Sequence, residues 1–190
     1  MIDSLRPILP WSQLRSLTFF CSVDLHPVFG ILRQTPMLEA LSLNISYIDV
    51  SEQLTMPSLR ILSMDEDDRT ELNKILRSFI CPSLTEFSLT AYGNWTSDTI
   101  EILNRQYNMQ ELRDVQIAGN FVLPVSPFLR EAPMLHSFSL QGNAIMDDEA
   151  IVGISNGTLG RFLRALEIGI DCDAEEVLGM VGARKKTVDG

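Results

Sequence analysis

Apolar residues in this chain fall into a short frame that returns seven times. The clearest copy is TPMLEALSLN, Thr35 to Asn44, with Leu38, Leu41 and Leu43 at its positions one, four and six. The others begin at Leu14 (LRSLTF), Leu59 (LRILSM), Leu84 (LTEFSL), Leu112 (LRDVQI), Leu135 (LHSFSL) and Leu163 (LRALEI). Successive copies start 24, 21, 25, 28, 23 and 28 residues apart. Positions four and six are two apart, so an extended strand points both to one side. One short strand cannot bury such a face alone; stacked in parallel on like neighbours, it forms a continuous core. The frame predicts seven parallel strands centred on Leu17, Leu41, Leu62, Phe87, Val115, Phe138 and Leu166. At about 4.8 Å per neighbour the stack is roughly 29 Å long.

Between the strands the pattern changes period. Val28–Gln34 predicts one or two helical turns, and Tyr47–Thr55 has no clear period. Asp68–Phe79 predicts an amphipathic helix, with Leu72, Ile75, Leu76 and Phe79 at three-to-four spacing. Ser97–Tyr107 predicts another, with Ser97 as its N-cap. Val122–Arg130 is interrupted by prolines and reads as irregular, whereas Asp147–Ser155 reads as a short helix with acids at its start. Asp173–Ala183 predicts a last helix, acidic at its start and followed by Arg184, Lys185 and Lys186, an order that suits the helix dipole. Five copies have a proline two or four residues before their first leucine: Pro10, Pro36, Pro57, Pro82 and Pro133. Proline stops the preceding segment and holds the chain extended into the strand.

The spacing and the L-x-x-L-x-L frame are those of leucine-rich repeats, in which a ninth position is often Asn. Only Asn120 and Asn143 keep that asparagine, so the repeat is degenerate. The expected fold class is α/β: a leucine-rich-repeat solenoid, a horseshoe segment of about seven strands on the concave face with helices and irregular loops on the convex side. Residues 1–190 read as a single such domain. Met1–Pro10 does not read as a polar cap, so the expectation is a fragment lacking an N-terminal cap.

A net charge of −10 argues against nucleic acid or an anionic membrane as partner, because both require clustered Lys and Arg. No apolar run approaches a membrane span, and the start MIDSLRPILPW is not a signal peptide. Cys21, Cys81 and Cys172 are scattered, which points to free thiols in a reducing compartment. The expected location is intracellular, cytoplasmic or nuclear. The sequons at Asn44, Asn94 and Asn156 are then idle.

No phosphate loop, nucleophile elbow or zinc-protease motif occurs, so the chain is not read as an enzyme and no cofactor or metal is expected. His26 and His136 lie in different copies, and His136 reads as a rim or packing residue. The run Asp65-Glu66-Asp67-Asp68 reads as a solvated turn entering a helix, since it lacks the glycine and spacing of a calcium loop. Position two alternates between Arg15, Arg60, Arg113 and Arg164 and the residues Glu39, Thr85 and His136, which predicts a rim of modest ion pairs.

Positions three, five and seven point away from the core onto the open sheet face. Across seven copies these 21 slots, Phe20 among them, hold four acids and no Lys or Arg. This face is the expected site for a protein partner carrying a basic segment. The candidate contacts are Asp65, Glu86, Ser88, Asp114, Gln116, Ser139 and Glu167.

The segments PWSQLRSLTF, TPMLEALSLN and APMLHSFSLQGN resemble the repeat region of fungal F-box proteins, and VLGMVGARKK resembles the helix that closes such chains. The resemblance implies a non-catalytic protein–protein interaction module of the kind that presents substrates to a ubiquitin ligase. No F-box is recognisable, so a ligase adaptor is implied as a partner only if one lies outside this chain. The alternative is a secreted or cell-surface leucine-rich-repeat recognition domain, disfavoured by the lack of a signal peptide and of paired cysteines.

Overall fold

The computed structural model describes residues 10–47, 52–66, 72–92, 95–119, 123–141, 144–145, 147–169, 178–180 and 182–184. In chain order its elements are β1 (Ser16–Asp24), α1 (Leu25–Leu32), β2 (Ala40–Tyr47), β3 (Leu54–Thr55), β4 (Ile61–Glu66), α2 (Leu72–Ser78), β5 (Phe79–Ile80) and β6 (Glu86–Thr90). Then follow α3 (Ser97–Tyr107), β7 (Asp114–Ala118), β8 (Leu123–Pro124), α4 (Val125–Glu131), β9 (Ser137–Gln141), β10 (Ala144–Ile145), α5 (Asp148–Asn156) and β11 (Ala165–Gly169). Seven strands form one sheet in the order β1-β2-β4-β6-β7-β9-β11, and every neighbouring pair is parallel. The fold is α/β, and the sheet grows in the order in which the chain is read.

The seven expected strand centres lie in a single row. Leu17, Leu41, Leu62, Phe87, Val115, Phe138 and Leu166 are register partners from one edge to the other. In the five inner strands positions four and six are buried: Leu41, Leu43, Leu62, Met64, Phe87, Leu89, Val115, Ile117, Phe138 and Leu140. Burying each such side chain stabilises the fold by roughly 1.5–3 kcal/mol relative to exposure, before the ordering cost.

Two backbone devices fix the frame. In all seven copies the N–H of the position-one leucine donates to the carbonyl three residues earlier, as in Leu38 to Thr35, Leu59 to Met56, Leu84 to Cys81 and Leu163 to Gly160, over 2.9–3.3 Å. That bond closes a β-turn, and Pro36, Pro57, Pro82 and Pro133 occupy its second position, where a fixed φ near −65° is favourable. Pro10 lies one residue outside the equivalent turn at Trp11. The second device is at position two. The carbonyls of Arg15, Glu39, Arg60, Thr85, Arg113 and His136 each accept two N–H groups from the next copy, as Arg60 does from Thr85 and Glu86.

The connections differ from expectation in several places. α1 begins three residues earlier than its apolar pattern suggests, because the Asp24 carboxylate accepts from His26 N at 3.0 Å and caps it. The helix expected over 68–79 is described from Leu72 and ends at Ser78; Phe79 leaves it to pair with Leu54 in the β3–β5 ladder. The N-cap of α3 is Thr96, not Ser97: Thr96 N donates to Thr99 Oγ1 at 3.1 Å, and Ser97 is already helical. Val122 lies outside the described residues, and the rest of the segment expected to be irregular, Leu123–Arg130, is regular. It contains β8 and most of α4, with Pro127 in the first turn, where a missing N–H costs no intrahelical bond. One carboxylate serves two helices, α5 after it and α4 before it: Asp147 Oδ1 accepts from Ala150 N at 2.9 Å, and Oδ2 accepts from Ser126 N at 3.1 Å.

The end strands are less covered than the inner ones. Leu14, Leu17, Phe19 and Val23 are half-buried, as are Leu163 and Leu166. Strand β1 shifts register between Thr18 and Ser22, so Ser22 faces Asn44 and Phe20 does not take the position-seven slot; Phe20 is 95% exposed. The reading of Asp65–Asp68 as a solvated turn also fails over its first two residues, which belong to β4. Glu66 is the last residue of β4, paired with Ile45 and 2% exposed, while Asp67 and Asp68 lie outside the described residues. Of the closing helix, residues 178–180 and 182–184 are described as helical. Arg184 acts there less as a dipole complement than as a clasp: its guanidinium donates to the carbonyls of Ile154, Gly160, Arg161 and Leu163.

Candidate interaction surface

The open face of the sheet is built by the residues that the frame leaves outside. Position five runs Thr18, Ser42, Ser63, Ser88, Gln116, Ser139, Glu167 in continuous register. Position three runs Ser16, Ala40, Ile61, Glu86, Asp114, Ser137, Ala165. All seven candidate contacts therefore lie on one surface, and each of them is exposed or half-buried.

They do not form a single cluster. Glu86 and Asp114 are register partners on adjacent strands, which places two carboxylates about 5 Å apart at the backbone. Asp65 sits four residues further along its strand, beside Asn44 and Thr90. Ser88, Gln116 and Ser139 fill the next row inward from Glu86 and Asp114. Glu167 is on the last strand, and Ser139 Oγ donates to its Oε2 at 2.9 Å. Among the described residues the carboxylates of Asp65, Glu86 and Asp114 have no hydrogen-bonding or ion-pair partner.

The arginine–glutamate pairs lie elsewhere. Arg15 pairs with Glu39 on the position-two rim, Arg33 with Glu52, Arg105 with Glu101 on α3, and Arg130 with Glu149 between α4 and α5. Their side chains are 46–71% exposed, and solvent screening leaves each pair contributing little. Glu39 was expected between two arginines; it bonds to Arg15, and Arg60 makes no ion pair with a described residue.

No protein-family model matches this chain, and no curated protein matches it. The surface is therefore read from its own chemistry. Among the described residues no cluster of three or more His, Cys, Asp or Glu side chains could hold a metal ion, and no helix is long and apolar enough to cross a membrane. His136 packs its ring 6.3 Å from that of Phe162, and its Nδ1 is buried without a partner among the described residues. Cys21 and Cys81 are free thiols, and burial pushes the Cys81 thiol up to about 12, where it stays protonated and inert.

Sequence reasoning missed one neighbour of the acidic pair. Ile61, the register partner of Glu86, is 40% exposed on the same face. It offers an apolar contact beside the two carboxylates. The signal was present as an apolar residue at an outward position, next to inward Leu62.

Proposed function

We propose that the chain is a leucine-rich-repeat solenoid acting as a non-catalytic protein-interaction module, and that the open sheet face binds a segment bearing Lys or Arg. The solenoid reading is supported by seven copies of one frame in one sheet, in chain order and in a single register. The observation that carries the binding reading is the contrast in pairing. Asp65, Glu86 and Asp114 stand exposed on a face with no Lys or Arg, while arginine pairs with glutamate on the rim and the helices. A lysine or arginine stem lying on Ile61 brings its charge to Glu86 and Asp114.

The role, by resemblance to fungal F-box proteins, is presentation of a substrate for ubiquitin transfer, with a ligase adaptor as partner only if an F-box exists outside this chain. Free Cys21 and Cys81 support a reducing, intracellular setting for it. The test is capture of the partner from native lysate, followed by association kinetics with the wild type and with Glu86→Lys/Asp114→Lys. Rising salt should weaken the wild-type complex, and the double variant should associate at least tenfold more slowly with its circular dichroism unchanged. Unchanged kinetics in a folded double variant would move the site to the helices or loops.

A further inference from the structure

The chain has eight asparagines, and only Asn156 is followed by glycine. Asn156 is the exposed last residue of α5, and Gly157 follows in the left-handed region at φ 78°. The carboxamide of Asn156 is turned toward the chain that follows it. Its Oδ1 accepts from Thr158 N at 2.9 Å and lies 2.7 Å from Thr158 Oγ1. The backbone donor fixes which end of the amide is oxygen, since nitrogen could not accept there. The Gly157 N–H, in turn, is only loosely held, 3.3 Å from the Ile154 carbonyl, and no side chain at Gly157 shields it.

We propose that Asn156 is a site of spontaneous deamidation in the folded chain, assisted by Thr158. The Gly157 amide nitrogen loses its proton to solvent base and bonds to Asn156 Cγ. Negative charge collects on Oδ1, where the two Thr158 donors stabilise it as an oxyanion hole does. The NH2 nitrogen takes a proton from water, its bond to Cγ breaks as the C=O re-forms, ammonia leaves, and a second water opens the five-membered imide to aspartate or isoaspartate. Either product puts a carboxylate at the C-terminal end of α5, where the helix dipole disfavours it, close to the Ile154 carbonyl that Arg184 grips.

The experiment incubates the full folded chain at mildly alkaline pH and follows each asparagine by peptide mass spectrometry, with isoaspartate resolved chromatographically. Asn156 should convert before the other seven. Thr158→Val, which removes the hydroxyl donor at an exposed position, should slow it severalfold, while Thr158→Ser should restore the rate. Equal rates in wild type and Thr158→Val, or an Asn156 that outlasts the other asparagines, would overturn the proposal.

Discussion

Leu41 and Ser42 are neighbours in β2 that the register sends to opposite faces. Leu41 is 1% exposed, stacked between Leu17 and Leu62, whereas Ser42 is half-buried on the open face between Thr18 and Ser63. Leu41→Asp removes an apolar side chain whose burial is worth about 2 kcal/mol. It also places a carboxyl where no cation can reach it. That group escapes by staying protonated, and shifting its pKa from about 3.9 to above 7 costs roughly 4 kcal/mol at neutral pH. The total of about 6 kcal/mol is a large part of the ~5–15 kcal/mol that a typical fold has to lose. In thermal unfolding followed by circular dichroism, Leu41→Asp should melt roughly 12–24 °C below wild type, or fail to fold, if each kcal/mol moves Tm by about 2–4 °C at this chain length. Ser42→Asp should stay within about 4 °C, since a carboxylate there remains hydrated. Melting temperatures for the two variants within a few degrees of each other would refute the register.

The remaining expectations follow from single contacts. Burial raises the Asp147 carboxyl, but the N–H groups of Ser126 and Ala150 outweigh it and hold the group below its usual range. Its stabilisation is therefore full above the unfolded carboxylate value near ~3.9 and is lost as pH falls through the lower folded value; acid titration of Asp147→Asn should lack that component. A Cβ at Gly119 would lie 1.8 Å from the Ala91 carbonyl oxygen at φ +128°, so Gly119→Ala should cost more than about 2 kcal/mol in urea unfolding, and Gly157→Ala, with open space, distinctly less. With a thiol pushed to about 12, Cys81 should resist alkylation in the native state and react only on unfolding, whereas exposed Cys21 should label at once.

The strands were legible because their signal repeats. Leu41 alone says little, but a leucine at the same offset from Leu38, Leu59 and their counterparts fixes both strand and register. What escaped was local and carried by few residues. The β3–β5 and β8–β10 ladders pair only two residues per strand, too few for any period to show. Pro127 argued against a helix until Asp147, 20 residues later, proved to cap α4 through Ser126. Thr96 displaced Ser97 as cap through its reciprocal bond with Thr99, a choice between two adjacent hydroxyl residues that spacing does not decide. Glu66 turned inward because strand alternation continued one residue past Asp65, into what composition alone presents as a polar run. On the surface, the position of every candidate contact followed from the frame, but the pairing of Ser139 with Glu167 and the freedom of Glu86 and Asp114 depended on side-chain conformation.

The doubled acceptors at position two bear on how the chain acquires this arrangement. Each carbonyl, from Arg15 to His136, reaches N–H groups only in the next copy, 21 to 29 residues on. Joining any two neighbouring strands thus closes a loop of nearly constant size, and doubling that size would add only about 0.6 kcal/mol of closure cost. Dividing a typical separation by the chain length gives a relative contact order of about 0.13, in the range of mixed domains that fold faster than β-sandwiches of similar stability. No strand has to wait for a distant partner. Zippering can start at any adjacent pair and spread both ways, and a defect such as Leu41→Asp interrupts the spread at one link while leaving the copies beyond it free to nucleate on their own.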